Sequence, residues 1–540
     1  MIRWVAAGLM LGGTFLLFVL LLVLPPRMSP GDTAGDASVD DRREVVAPGI
    51  RGGWDSWALP QSGGLEFGPD ALPGEAVVFL GDLRDIDAVR ALAEQYGLEL
   101  VGVIDELGMA RLRGRAADFA RFAEAGYDLE GNFRVAIPPV PGDDEQPDFF
   151  GGELVGFESG VLRFLGVPED NSAWGEGVRI AVLDTGVGNH PALEGARIQS
   201  MDLLDPSRGG IDDNGHGTAV VYHLVARDEF DTGMVPGADV LSLRVLDNDG
   251  TGDSFTLAQG IITAVNEGVD IVNLSLGTRS DSSVLRAAID FAISRNVTVV
   301  AAAGNDGVEG AAFPAAYADV FSVAAVDARD RRAPFSNFGK VDAVAPGYGL
   351  PSGWLDGEYV SLGGTSAAAP LVTGAVARLL SVEPALTPRE VRAVVERASN
   401  DLGPPRRDAY HGAGRIDVAR MERRNEPGVF DLAVTDFSFG AEGGTHDAVV
   451  LSVGFQNRGT ESVAGARARL FLGDILVADE RVDLSVGEIH AMRTLVNLAQ
   501  LTHDEGLTMQ AEIIPPAGIT DVRPSDNVRV GRAGLQDPAY

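Results

Sequence analysis

Ile180-Ala181-Val182-Leu183-Asp184-Thr185-Gly186 is the stretch on which the reading of this chain turns. Four apolar residues run into an aspartate and then a Thr-Gly turn. A strand without polar alternation is covered on both faces, as strands of parallel sheets are. The run begins at Val178, and comparable runs recur at Val240–Val245, Ile271–Leu276, Val297–Ala303 and Val320–Val326. Stretches of helical spacing separate them. Residues 153–424 therefore read as an α/β unit with a doubly wound, mostly parallel sheet. Open sheets of this kind place their sites at the carboxyl ends of strands. Asp184 stands at such an end, although an aspartate there also serves simply to cap a turn.

Two more segments in this region carry chemistry. In Asp213-Asn214-Gly215-His216-Gly217-Thr218-Ala219 a histidine sits between two glycines, just ahead of a helical pattern that runs to Val225. In Gly363-Gly364-Thr365-Ser366-Ala367-Ala368-Ala369-Pro370 two glycines lead to a serine at the start of a helix running to Leu380. Small neighbours let a substrate backbone approach the hydroxyl, and a helix N-terminus offers unpaired N–H groups and the positive end of a dipole. Each segment alone also fits a structural histidine or an N-cap serine. Together, the order Asp, His, Ser is that of one convergent type of nucleophilic triad.

The flanking residues add to this order. Asp-Thr-Gly at 184, Gly-His-Gly-Thr at 215 and Gly-Thr-Ser-Ala-Ala-Ala-Pro at 364 resemble the three catalytic signatures of the subtilases, the subtilisin-like serine proteases. Ala302-Ala303-Gly304-Asn305 falls where that family carries the asparagine of its oxyanion hole. The resemblance covers about residues 155–420. It implies a serine endopeptidase in which His216 takes the proton of Ser366 and returns it to the leaving amine, while Asp184 orients the imidazole. Asn305 and the Ser366 backbone N–H would stabilise the oxyanion. Leu246-Asp247-Asn248-Asp249-Gly250-Thr251-Gly252 and Asn273-Leu274-Ser275-Leu276-Gly277 resemble the family's substrate-binding edges. The residues expected to bind substrate are Gly250, Thr251, Gly252, Ser275, Leu276 and Gly277, with the substrate added as an extended strand. One departure concerns the helix behind His216. Where the family carries a small glycine this chain has Tyr222, which needs compensating space. No cofactor is required by this chemistry. Structural calcium is common in the family, but no complete ligand set is legible.

The rest of the chain falls into recognisable pieces. Residues 1–3 form a short tail, and residues 4–24 are an uncharged apolar run long enough to cross a bilayer, read as a signal-anchor. Arginines on both sides leave its orientation open on charge alone. Residues 25–74, rich in Pro, Gly, Asp and Ser, read as a flexible linker. Residues 75–137 have the order βαββαβ and resemble the propeptide, a small inhibitor-like domain, that precedes the subtilase catalytic domain. Residues 138–152 read as a linker with a processing site, cut within about 138–155. Residues 425–540 show short alternating strands between Gly-rich turns and resemble an all-β, immunoglobulin-like CARDB sandwich. The expectation is a membrane-anchored zymogen acting on protein or peptide substrates, with its catalytic domain outside the cytoplasm. The alternative is a catalytically weak subtilase fold that binds peptides, or a surface adhesion protein. The complete set Asp184, His216, Asn305 and Ser366 stands against it.

Composition narrows partners further. The 540 residues carry 43 Lys and Arg against 78 Asp and Glu, a net charge of −35. A surface this acidic is a poor match for phosphate backbones, so nucleic acid is excluded as a partner. Lys340 is the only lysine. The other basic residues are all arginine, which fits either a GC-rich genome or adaptation to high salt, where excess carboxylate keeps the surface soluble. With no cysteine there is no disulfide, thiol nucleophile or thiolate metal site.

Overall fold

The computed structural model describes residues 67, 70–81, 86–138, 154–157, 159–227, 232–445, 448–497 and 507–533. Two short antiparallel pairs, Ala6–Ala7 with Phe18–Val19 and Met10–Leu11 with Thr14–Phe15, are described before them. The apolar run 4–24 and the linker that follows otherwise lie outside the described residues, as does most of 138–152.

The N-terminal unit runs β1 (Ala71–Phe79), α1 (Ile86–Tyr96), β2 (Glu99–Ile104), β3 (Met109–Arg113), α2 (Ala116–Glu124) and β4 (Leu129–Ala136). Its four strands pair antiparallel in the order β4-β1-β3-β2. Val89, Ala93, Phe119 and Phe122 project from the two helices into a core with Ala76, Val78, Ala110 and Leu112. Helical spacing places these apolar residues on the face that meets the sheet. The first strand starts at Ala71, inside the stretch expected to be linker. Pro73 and Gly74 break the alternation there, and the pairing with β4 shifts register between Ala71 and Ala76, so the pattern is hidden. Phe67 also packs edge-on against Phe119.

The central unit is built on seven parallel strands: β5 (Arg179–Asp184), β6 (Arg197–Asp202), β7 (Asp239–Arg244), β9 (Ile271–Leu274), β10 (Thr298–Ala302), β11 (Phe321–Val326) and β12 (Ala343–Pro346), with the short β8 (Thr251–Asp253) outside the sheet. Their spatial order is β6-β7-β5-β9-β10-β11-β12, and every pair is parallel. Alternation along β5 divides the core. Ile180 and Val182 face the layer of α4 (His216–Val225) and α7 (Thr365–Val382). Ala181 and Leu183 face α5 (Ser254–Asn266) and α6 (Ser283–Ser294). Helices on both faces explain why β5 lacks polar alternation. A hairpin of β13 (Leu350–Gly353) and β14 (Tyr359–Leu362) precedes α7. The short α3 (Val161–Phe164) and the closing α8 (Pro388–Ala398) and α9 (Val418–Arg423) complete the unit. Among the described residues α7 alone is long and apolar enough to cross a membrane, and it lies buried in this core.

Beyond α9 the chain forms two antiparallel sheets. One holds β15 (Leu432–Thr445), β16 (Ala448–Asn457) and β19 (Ile489–Asn497). The other holds β18 (Ile475–Leu484), β17 (Val463–Leu472), β20 (Leu507–Ile514) and β21 (Val528–Ala533). Val453 and Phe455 from one sheet share a core with Ala468, Leu470 and Ala511 from the other.

Tyr222 finds its space opposite a glycine. A Cβ on Gly353 would stand 2.5 Å from Tyr222 Cδ2. The ring is buried and meets His190 and Tyr359 edge-on.

Candidate active site

The carboxyl ends of three adjacent strands converge. Asp184 closes β5, Ser275 follows β9 and Asn305 follows β10. The N-termini of α4 and α7 bring His216 and Ser366 to the same place. Asp184, His216, Asn305 and Ser366 are all buried.

His216 Nδ1 lies 2.8 and 3.0 Å from the two Asp184 oxygens. One of these oxygens also accepts the Thr185 N–H at 2.8 Å. Burial disfavours the charged imidazole. The adjacent Asp184 carboxylate, with a further contribution from Asp212, outweighs that and raises the His216 pKa above its ordinary value. Local backbone dictates the placement. Gly215 holds φ +107°, and a Cβ there would enter the Trp354 ring at 2.1 Å, so only glycine fits before the histidine. Asp212 was not singled out from the sequence, yet it holds this turn. It accepts from the N–H groups of Asn214, Gly215 and Thr218 and from the Thr218 hydroxyl. An aspartate two to three residues before Asn-Gly is a turn signal that could have found it.

Ser366 Oγ donates to the Ser275 carbonyl at 3.0 Å, and Ser275 Oγ donates to the Ser366 carbonyl at 2.9 Å. His216 Nε2 is buried with no hydrogen-bond partner among the described residues. The structure thus brings His216 to Asp184 and turns the Ser366 hydroxyl elsewhere. Asn305 Oδ1 accepts from Thr365 N and Oγ1, each at 2.9 Å, which aims Nδ2 outward. Nδ2 donates to the carbonyl of Pro138 at 2.9 Å.

The segment ending at Pro138 lies along the edges expected to bind substrate. Arg134, Val135 and Ala136 pair antiparallel with Asp253, Gly252 and Thr251. Ala136 exchanges both backbone hydrogen bonds with Gly277 at 2.9 Å, and Ile137 N–H donates to Gly250 O at 3.0 Å. Gly250, Thr251, Gly252 and Gly277 therefore meet an extended segment through their backbones. The Leu276 side chain points into the core beneath, and Ser275 contacts Ser366 instead.

The N-terminal unit docks through helix ends. Glu130 accepts the Ser283 N–H at the start of α6, at 2.9 Å to each oxygen. Asn132 accepts from Ser254 Oγ and Phe255 N at the start of α5, and donates to Glu75 and Asp253. A carboxylate and an amide oxygen suit the positive ends of two helices.

Among the described residues one acidic group, Asp431, Asp521 and Asp526, brings its oxygens within 4.8 Å of one another. Arg523 and Arg458 already pair with Asp431 and Asp526 at 2.9 and 3.1 Å. The positive charge is supplied by the chain, and this donor set does not fit calcium.

Comparison with known proteins agrees with this architecture. The family model described as Subtilase family matches residues 175–414. The thermostable alkaline protease of Halalkalibacterium halodurans is 39% identical over 250 residues, 46% of this chain and 68% of that protein. Subtilisin BL and Subtilisin Savinase of Lederbergia lenta are each 37% identical over 252 residues, 46% of this chain and 92% of theirs. With a parallel α/β sheet and relatives of this identity, the chain belongs to the subtilase family and is a serine endopeptidase.

Proposed function

We propose that Ser366 is the nucleophile, His216 its base and Asp184 the group that orients the base. Ser366 Oγ attacks the carbonyl carbon of the scissile bond while its proton passes to His216 Nε2. The tetrahedral oxyanion is held by Asn305 Nδ2 and the Ser366 N–H at the start of α7. Collapse breaks the C–N bond as His216 gives the proton to the leaving nitrogen. Water then repeats the steps to free the acid. Asp184 stabilises the imidazolium formed in between, in keeping with the raised His216 pKa. Substrate lies as a strand between 250–252 and 275–277, read through its main chain.

One observation carries this reading. The chain's own segment 134–138 runs along both edges and ends with its carbonyl on Asn305 Nδ2. It also supports reading residues 75–137 as a propeptide that occupies the cleft, and the whole as a zymogen. The organisation that follows is an anchor at 4–24, a linker, the propeptide unit, a processing region at 138–152, the peptidase domain at 153–424 and an immunoglobulin-like sandwich at 425–540. The peptidase then acts outside the cytoplasm, near the membrane. Structural calcium, common in the family, is left without an assigned ligand set. A serine-directed phosphonate tests the core of the proposal in a chain whose N-terminal unit is loosened by Asn132→Ala, so that segment 134–138 can leave the cleft. Its adduct should map to Ser366 and fail to form with His216→Ala. An adduct at another serine, or equal labelling of the variant, would contradict it.

A further inference from the structure

The contacts of the 134–138 segment specify which bond it presents. Ala136 pairs with Gly277 through both backbone hydrogen bonds. In an antiparallel ladder the next such pair lies two residues on, which sets Pro138 opposite Ser275. The carbonyl on Asn305 Nδ2 is that of Pro138. The bond presented to Ser366 is therefore Pro138–Pro139.

Proline is the wrong residue on both sides of it. A residue opposite Ser275 would donate its N–H to the Ser275 carbonyl, and Pro138 has none. That carbonyl instead takes the Ser366 hydroxyl at 3.0 Å, and His216 Nε2 is left without a partner among the described residues. The proton that must go to the base is engaged elsewhere. On the other side, the nitrogen of Pro139 carries Cδ where other residues carry hydrogen. A ring nitrogen is bulkier, and less free to turn its lone pair toward an acid, than the backbone nitrogen of any other residue. The leaving nitrogen needs that proton for the C–N bond to break.

We propose that Pro138 and Pro139 make this segment a lasting occupant of its own active site. The bond is presented to Ser366 and is not cut, so the N-terminal unit keeps the peptidase latent until another protease cuts the chain elsewhere or the segment is displaced. This rests on the roles given above to Ser366 and to residues 75–137. Within the processing region expected at about 138–155, it marks the bond after Pro138 as one the chain does not cut itself.

The test follows new N-termini by mass spectrometry over time in the full chain, with hydrolysis of an added fluorogenic peptide as a second readout. The chains are wild type, Pro139→Ala, the double variant Pro138→Leu/Pro139→Ala, and each with Ser366→Ala. The wild type should yield no Ser366-dependent terminus at residue 139. The proline variants should yield it at least about 100-fold faster, the scale of a restored proton transfer. A wild type cut there as fast as the variants overturns the inference and leaves the roles of Ser366 and the segment standing. Variants that hydrolyse the added peptide yet stay uncut after residue 138 overturn it too. Variants that do neither overturn the assigned roles, and the inference with them.

Discussion

Asn305 uses both ends of one amide. Its oxygen is held by Thr365 N and Oγ1, so its Nδ2 has one direction to point, toward the carbonyl of Pro138. A donor fixed before reaction stabilises developing charge without reorganising. Asn305→Leu should therefore lower kcat by about 10²–10³ and leave KM nearly unchanged in steady-state peptide hydrolysis. A change confined to KM would assign Asn305 to binding alone. The raised pKa of His216 sets a second expectation. The base must be neutral to act, so the acid limb of kcat/KM should have its midpoint above 6.5, with activity rising as pH rises through it. Asp184→Asn should move that midpoint down, because the charge that favours imidazolium is gone. At this scale the proposed triad stands out in the sequence because each member sits in a short signature with small neighbours. Asp212, which makes four hydrogen bonds within its turn, stands outside those signatures, and the Asn-Gly pair that follows it is the one local signal pointing to it.

Helix α4 carries His216 at its start and two demanding aromatic residues further along. His223 is buried, and burial alone pushes its pKa down to about 4. Its unfolded value is about 6.5, so the neutral folded form is fully favoured above that pH. Between roughly pH 6.5 and 4 the unfolded chain takes up a proton that the folded chain refuses, and stability falls. The shift corresponds to about 3 kcal/mol at full expression. His223→Leu should flatten this acid slope in denaturant unfolding curves measured across pH, and an unchanged slope would remove His223 as its source. Tyr222 makes a separate claim. Gly353→Ala would put a Cβ 2.5 Å from the Tyr222 ring and 3.0 Å from His190 Nε2. Overpacking of this kind should cost about 1–3 kcal/mol, and Tyr222→Ala in the same chain should recover part of it. A fully additive pair would show that the two positions do not compete for space. Most sheet strands were legible as near-continuous apolar runs. β6 was not, because it is an edge strand in which two of six residues are exposed and only Asp202 is buried. β12 was missed as well, since Ala343-Val344-Ala345-Pro346 is buried but too short and small to stand out.

The molecule joins its N-terminal unit to the peptidase by a sheet that crosses the boundary, since β8 of the peptidase is the fifth strand of the N-terminal sheet. Nothing in sequence periodicity announces a pairing between Ala136 and Thr251, because it depends on two units meeting rather than on local pattern. From composition Pro138 reads as the start of a linker, and only the resemblance to a propeptide implies a tail lying in the active site; Pro138 is the last described residue of the segment that continues β4 along the peptidase edge. Asn132 sits at the middle of the docking contacts, with bonds to Glu75, Asp253, Ser254 and Phe255. Asn132→Ala leaves these buried groups short of partners, and each loss of this type costs about 1–3 kcal/mol. The full chain carrying it should hydrolyse added peptides faster than wild type by about tenfold or more. If rates match, docking through Asn132 does not govern access to the cleft. This loosened chain also tests whether Ser366 is the nucleophile of a working peptidase. Hydrolysis of a fluorogenic peptide mixture is compared between Asn132→Ala and the same chain with Ser366→Ala added. Turnover should be measurable in the first and fall by about 10⁶ in the second if Ser366 is the nucleophile, the scale seen when a subtilisin loses its own. Equal rates in the two chains would remove Ser366 from that role.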